Sequence, residues 1–334
     1  MRLVAEFGKE NLATVYVAAL EDASRRTGED ASRGAGEDAS RLVEFVESVQ
    51  PPISREEKWV LIVSTLLGCP VGCSFCDAGG WYDGKLSEEE IVNQILWMVD
   101  RRYPDRVVPV SKLKIQFARM GEPAFNRAVP AALDRIRSLL DAPGLLPSVS
   151  TVAPAGTEPF FEDLLRVKDE HYRGGRFQLQ FSIHSTDRAV RERLVPVRGL
   201  SFEWMAAYGS RFRDPGDQKV TLNFALAEGV PVDPAVARSL FSPDDFLIKL
   251  TPVNPTVKAR ASRLASRIDP ARPETGRAAA RDFERAGFDV IVSVGEVEEN
   301  AIGSNCGMFV SDLRAEGGRV REGYSSLLYS KSGS

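Results

Sequence analysis

Short apolar runs recur along most of this chain, and stretches with helical periodicity separate them. From Trp59 the run WVLIVSTLL is followed by a helical pattern over residues 87–101, then KLKIQFA, a second helical stretch over 128–140, and PSVSTVA. A helix near 159–166 leads to FQLQFSI, further helices lead to KVTLNFAL, and another leads to DFLIKLTPV. Strands alternating with helices in this way predict parallel β/α units. The predicted fold class is therefore α/β: a partial (β/α)6 barrel with its active groups at the C-terminal ends of the strands.

Two further runs, residues 14–20 and 42–49, predict a short N-terminal strand pair. Between them the pentapeptide EDASR starts at Glu21, Glu29 and Glu37, in a stretch that also holds Gly28, Gly34 and Gly36. Each copy is too short and polar to bury anything, so this segment reads as an expanded surface loop. Beyond the barrel, a helix at about 274–286 precedes DVIVSV and a loop carrying Cys306. The expected divisions are a strand-pair segment 1–57, a barrel 58–255 and a C-terminal extension 256–334.

Composition narrows the chemistry. With 334 residues, 43% of them hydrophobic, the chain can bury a stable core without disulfides or structural metals. A metal, if bound, is then functional. The formal charge of -4 argues against affinity built on neutralising many phosphates. Of four cysteines, three are Cys69, Cys73 and Cys76, too uneven a distribution for a disulfide framework and suited to a reducing compartment. No apolar stretch is long enough for a membrane span and no leader pattern opens the sequence, so a cytoplasmic protein without a membrane partner is expected.

The segment Gly68-Cys69-Pro70-Val71-Gly72-Cys73-Ser74-Phe75-Cys76 has the spacing C-x3-C-x2-C directly after the first barrel strand. An iron–sulfur cluster normally takes four thiolates, so three leave one iron open to a chelating cofactor. Zinc is the alternative, but it prefers four ligands in closely paired sets. Here Cys306 is far downstream and neither histidine is near the loop.

This loop resembles that of the radical S-adenosylmethionine (SAM) superfamily. The resemblance implies a 4Fe-4S cluster on Cys69, Cys73 and Cys76 that donates an electron to SAM. It yields methionine and a hydrogen-abstracting 5'-deoxyadenosyl radical, with Phe75 beside the adenine. From about Thr14 to Met308 further segments resemble the RlmN/Cfr family of ribosomal-RNA adenosine C-methylases. They are Met120-Gly121-Glu122-Pro123, Ser150-Thr151, Ser182-Ile183-His184, Asn254 within PVNP, Val46-Glu47-Ser48-Val49 and Asn305-Cys306-Gly307. The resemblance implies SAM contacts at Gly121, Glu122, Ser150, Ser182, His184 and Asn254. It also implies a proton acceptor at Glu47 and a methyl-carrying cysteine at Cys306. Hydroxyl, imidazole and amide groups suit the ribose and carboxylate of SAM because they add no net charge.

Two departures shape the functional expectation. The given sequence opens at about the strand pair, whereas the family begins with a helical RNA-binding domain. And Ile62 occupies the position at which the family has a resolving cysteine. The leading expectation is a radical SAM enzyme of natural-product biosynthesis acting on a small molecule, such as a nucleoside or sugar, with Cys306 donating hydrogen to the product radical. The second is C-methylation through methyl-Cys306, and the third a non-catalytic iron–sulfur protein. An electron donor of flavodoxin or ferredoxin type is expected as a partner, and RNA is not.

Overall fold

A computed structural model of the chain describes residues 1–21, 41–304 and 309–315. The EDASR copies beyond Glu21 and the Cys306 loop lie outside the described residues.

The chain opens with an antiparallel meander of β1 (Arg2–Lys9), β2 (Ala13–Ala19) and β3 (Leu42–Ser48). β3 pairs antiparallel with β4 (Trp59–Val63), and a separate hairpin, β5 (Leu66–Gly68) and β6 (Tyr82–Lys85), follows. The remaining strands are parallel: β7 (Leu113–Phe117), β8 (Leu145–Thr151), β9 (Gln178–Ser182), β10 (Val220–Leu226), β11 (Phe246–Pro252) and β12 (Asp289–Val292). Together they form one ten-stranded sheet in the order β1-β2-β3-β4-β7-β8-β9-β10-β11-β12.

Helices α1 (Glu88–Asp100), α2 (Ala128–Leu139), α3 (Glu158–His171), α4 (Arg188–Leu194), α5 (Phe202–Phe212) and α6 (Pro234–Leu240) connect the parallel strands. After β11 come α7 (Val257–Ala261) and α8 (Arg277–Arg285), and β12 is followed by α9 (Val297–Ile302) and α10 (Phe309–Ala315). Helix α1 begins where its sequence says it must. Ser87 Oγ accepts from the Glu90 amide at 3.2 Å while the Glu90 carboxylate accepts from the Ser87 amide at 2.8 Å, a reciprocal cap that satisfies two donors.

Three details differ from the sequence expectation. The first strand, β1, adds a third member to the predicted pair, because Phe7 stacks on Phe309 of α10 with ring centroids 4.2 Å apart and so fixes a half-exposed edge strand. The run WVLIVSTLL splits after Val63: the Ser64 amide donates to Gln94 Oε1 at 2.9 Å, which turns the chain into β5. And α3 runs on to His171, because the buried Lys168 ammonium reaches Asp169 and Asp217, both at 2.8 Å, and a polar residue thereby occupies a core position.

Three of the parallel strands, β7, β9 and β11, alternate strictly between buried and half-buried residues. Leu113, Ile115 and Phe117 of β7, Leu179 and Phe181 of β9, and Phe246, Ile248 and Leu250 of β11 are buried beneath the helices. Phe181, for example, meets Phe161 of α3 and Tyr208 of α5 at 6.1 and 6.4 Å. The intervening residues, Lys114, Gln116, Gln180, Ser182, Lys249 and Thr251, face the inside of the curved sheet and are only half-buried. Barrel interiors are usually packed with branched aliphatic side chains. Here the inner wall is the wetter one.

Candidate functional site

The cysteine loop starts at the end of β5, where the Cys69 amide donates to Trp81 O at 3.0 Å and the Cys76 amide to Cys73 O at 3.2 Å. Its far end is fastened to the turn after β11. Thr256 Oγ1 donates to Phe75 O at 2.9 Å, and the carboxylate of Asp77 accepts the Val257 and Lys258 amides at 3.0 and 2.9 Å.

Burial pushes the Cys69 thiol up to about 11, and burial together with the nearby charges of Cys76, Cys69 and Glu122 pushes the Cys73 thiol well above its ordinary value. Three thiolates can therefore coexist here only when a cationic centre offsets their charge. Among the described residues no three His, Cys, Asp or Glu side chains converge as a single-ion site. Three thiols spread around a shared space, with no fourth protein ligand in the loop, fit a cluster better than a zinc ion.

The next strand end supplies Gly121 and Glu122. Gly121 has φ +101°, and a Cβ there would lie 2.5 Å from the Leu66 side chain, so only glycine allows β7 to close against the hairpin. Glu122 is buried, and its carboxylate ties two strand ends together: it accepts from the Ala124 amide at 2.9 Å, the Val152 amide at 2.9 Å and the Thr151 hydroxyl. Burial raises its pKa, and the hydrogen bonds only partly offset that. Ser150 and Ser182 occupy inward-facing positions at the ends of β8 and β9.

His184 adopts φ +63°, a left-handed conformation uncommon for a non-glycine residue. Its Nδ1 accepts from the Ala225 amide at 3.2 Å and its ring meets Phe75 edge-on at 4.7 Å. Burial, with Arg191 nearby, pushes its pKa down to about 3, so the imidazole is neutral. Asn254 is half-exposed just after β11, and its carbonyl accepts the Thr256 amide at 2.8 Å. The structure thus brings Phe75 against His184, the Cys73 thiol near Glu122, and the Asn254 turn onto the cysteine loop.

Glu47 does not join them. It pairs with Leu61 on the face of the sheet that meets α1, opposite to Val46 and Ile62. It is buried all the same, being 4% exposed. Its carboxylate accepts from Tyr16 Oη at 2.5 Å, Trp59 Nε1 at 2.9 Å, Arg55 at 3.0 Å and Arg102 Nε at 2.8 Å. The acid on the inner face is Glu44. It is fully buried, forms an ion pair with Arg119 and accepts the Val310 amide at 3.1 Å. Arg119 in turn donates to Ser304 O at 2.7 Å and Gly303 O at 2.8 Å. These two residues hold both flanks of the segment 305–308, and Cys306 itself lies outside the described residues.

Sequence reasoning missed Glu44, Arg119, Asp77 and Arg191. Arg191 is 5% exposed, donates to Val152 O at 2.7 Å, and feels the charges of Cys73 and Glu122. A polar residue at the expected apolar position of a short helix was the available signal. The register that places it was not.

This fold, with a three-cysteine loop above the strand ends, is that of a partial radical SAM barrel. A crystal structure of a radical SAM methyltransferase from Sphaerobacter thermophilus superposes with a TM-score of 0.65 over 91% of this chain and 80% of that one, at 20% identity. The sequence is similar to the dual-specificity RNA methyltransferase RlmN of Wolinella succinogenes, 29% identical over 202 residues, or 60% of this chain and 54% of the relative. It is likewise similar to the probable dual-specificity RNA methyltransferase RlmN of Synechococcus sp. (strain CC9311), 32% identical over 201 residues, 59% of this chain and 55% of that one. The chain therefore spans about half the length of these curated relatives. No protein-family model matches it. The relatives' names weigh against the expectation that RNA is no partner. Among the described residues no helix is long and apolar enough to cross a membrane.

Proposed function

We propose that this chain is a radical SAM enzyme that abstracts hydrogen from a small substrate held in the barrel lumen, and that Cys306 returns hydrogen to the product radical. The observation that carries this reading is the inner wall. Its half-buried, polar side chains offer hydrogen-bonding partners to a polar molecule below the strand ends. When bound, the cluster and SAM supply the electron and the hydrogen-abstracting radical.

The chain's own residues do the rest. Cys69, Cys73 and Cys76 would hold the cluster, and Gly121 and Glu122 shape the adjoining strand end. Ser150, Ser182, neutral His184 and Asn254 offer hydrogen bonds to SAM without adding charge. Phe75 and His184 wall off the adenine side. An electron donor of flavodoxin or ferredoxin type would provide the electrons, one to cleave SAM and one, taken up with a proton, to return the thiyl radical left on Cys306 to the thiol, and natural-product biosynthesis is the context in which we place the reaction.

C-methylation of RNA or a smaller acceptor through methyl-Cys306 is the second reading, favoured by the similarity to RNA methyltransferases. Ile62 speaks against it: it lies on β4 facing Val46, where a resolving thiol would be needed. One experiment tests both. Anaerobically reconstituted, reduced protein is incubated with SAM and candidate substrates, and the co-products are measured. 5'-Deoxyadenosine alone supports the first reading, while S-adenosylhomocysteine beside it supports methylation. No cleavage of SAM by cluster-loaded protein overturns both.

A further inference from the structure

Four lysines lie on, or two residues before, inward-facing positions of the curved sheet, and of these Lys58 donates to the Gln50 side chain. Lys58 and Lys112 precede β4 and β7, Lys114 is the second residue of β7, and Lys249 is the fourth residue of β11. All four are half-buried. Lys114 and Lys249 point inward from strands on opposite parts of the barrel wall. Burial first, and then the charges of Lys249, Lys58 and Lys112, pushes the Lys114 ammonium down to about 7. Lys249 is lowered by burial and by Lys58, and Lys58 by burial and Lys112.

What the cluster lacks is a counter-charge. The chain has more acidic than basic residues, 47 against 43, yet among the described residues no carboxylate is an electrostatic partner of Lys58, Lys114 or Lys249. Gln116, Ser148, Gln180, Asn223 and Thr251 on the same wall are neutral hydrogen-bonding groups, and the acid of the inner face, Glu44, is already paired with Arg119. Asn223 Oδ1 is buried and makes no hydrogen bond. Repelling cations drawn together in a partly dry space are costly unless a ligand neutralises them.

We propose that Lys114 and Lys249, supported by Lys58 and Lys112, hold a phosphoryl group of the substrate inside the barrel. This rests on the reading of the lumen as the substrate site and narrows its occupant to phosphorylated small molecules. A phosphoryl group suits the cluster better than a carboxylate, because it carries nearly two negative charges and three strong acceptor oxygens. Lys249 lies three residues below the end of its strand, so a group held there sits about 10 Å beneath the strand ends. A sugar phosphate or nucleoside monophosphate spans such a distance between its phosphate and its reacting carbon.

The test is titration of the full, cluster-loaded chain with inorganic phosphate and pyrophosphate at fixed ionic strength, comparing wild type with K114Q, K249Q and the exposed-site control K85Q. Saturable binding to wild type and K85Q is expected. K114Q and K249Q should each bind about tenfold more weakly, the loss of one charge-assisted contact. Thermal unfolding without phosphate checks that the variants fold: removing one repelling cation should leave Tm unchanged or raise it. Equal phosphate binding by wild type and both glutamine variants overturns the proposal, as does no binding by wild type. A nucleoside monophosphate or sugar phosphate should displace bound phosphate while the parent nucleoside or sugar does not. Phosphate that no organic ester displaces overturns the assignment to a substrate. None of these readouts needs SAM cleavage, so failure here is distinguishable from failure of the proposed radical chemistry.

Discussion

Arg119, two residues past β7, reaches across the sheet to the carboxylate of Glu44 on β3, and both side chains are at most 1% exposed. The same guanidinium holds Gly303 O and Ser304 O, and the same carboxylate holds the Val310 amide. An ion pair made in the barrel therefore fixes the C-terminal segment on both sides of residues 305–308. Arg119→Ala should lower unfolding free energy by about 3–5 kcal/mol, because it strands a buried carboxylate. Hydrogen exchange at Val310 should accelerate along with it. Slow exchange there in a stably folded R119A protein would show that the pair does not anchor this segment.

Loss of any one loop cysteine should abolish the cluster. Cys73→Ala protein, reconstituted anaerobically, should hold far fewer than the about four irons and four sulfides expected of wild type. It should also produce no 5'-deoxyadenosine. Wild-type iron content in C73A would require other ligands.

Glu47 offers a sharper discrimination. Burial alone would raise its pKa, but hydrogen bonds from Arg102 and Tyr16 and the charges of Arg102 and Arg55 hold it below the ordinary 4.5. Its stabilising contribution is present above that value and is lost as pH falls through the lowered one. Glu47→Gln should cost about 2 kcal/mol or more, discounted from a fully buried pair because its arginine partners reach solvent. SAM cleavage by the folded variant should persist, and its loss at unchanged stability would return Glu47 to the chemistry.

At Gly121 the backbone conformation and the Leu66 side chain both exclude a Cβ. Gly121→Ala should destabilise by about 1–3 kcal/mol through strain. It should also weaken SAM binding more than a surface glycine change such as Gly216→Ala, as equilibrium dialysis would show. Equal binding by the two variants would remove Gly121 from the site.

Lys114 makes stability depend on pH in a definite direction. Its folded value of about 7 lies below the ordinary 10.5, so between these values the unfolded chain holds the extra proton. Stability should then rise with pH across that window, and the penalty should be fully present below about 7. The difference in unfolding free energy between K114Q and wild type should be largest in mildly acidic buffer and shrink toward pH 10. A difference that is flat with pH would contradict the buried-cation account.

Much of the barrel was legible because each parallel strand is a short apolar run and each connection carries a helical period. The cluster loop was legible because its spacing is local. The two glutamates of LVEFVESV were not separable. Their odd spacing puts them on opposite faces, but both faces of β3 are buried, so alternation cannot say which one meets the lumen. The lysines in KLKIQFA and DFLIKLTPV read as ordinary solvent positions of a half-buried strand. In a curved sheet of this kind, however, a polar face can turn inward, and only the register through the intervening strands shows that Lys114 and Lys249 share that face. Arg119 and Asp77 escaped for a similar reason, since their partners lie far along the chain.

The Asp77 contacts also set an order of events in time. Its carboxylate waits for the amides of residues 257 and 258, and its carbonyl accepts the Ser311 hydroxyl at 3.0 Å. During synthesis the cysteines emerge from the ribosome long before these partners exist. The metal-binding loop then takes its final shape only after the last described helix has been made, so a cluster would be installed in it only once the chain has been synthesised beyond Ser311.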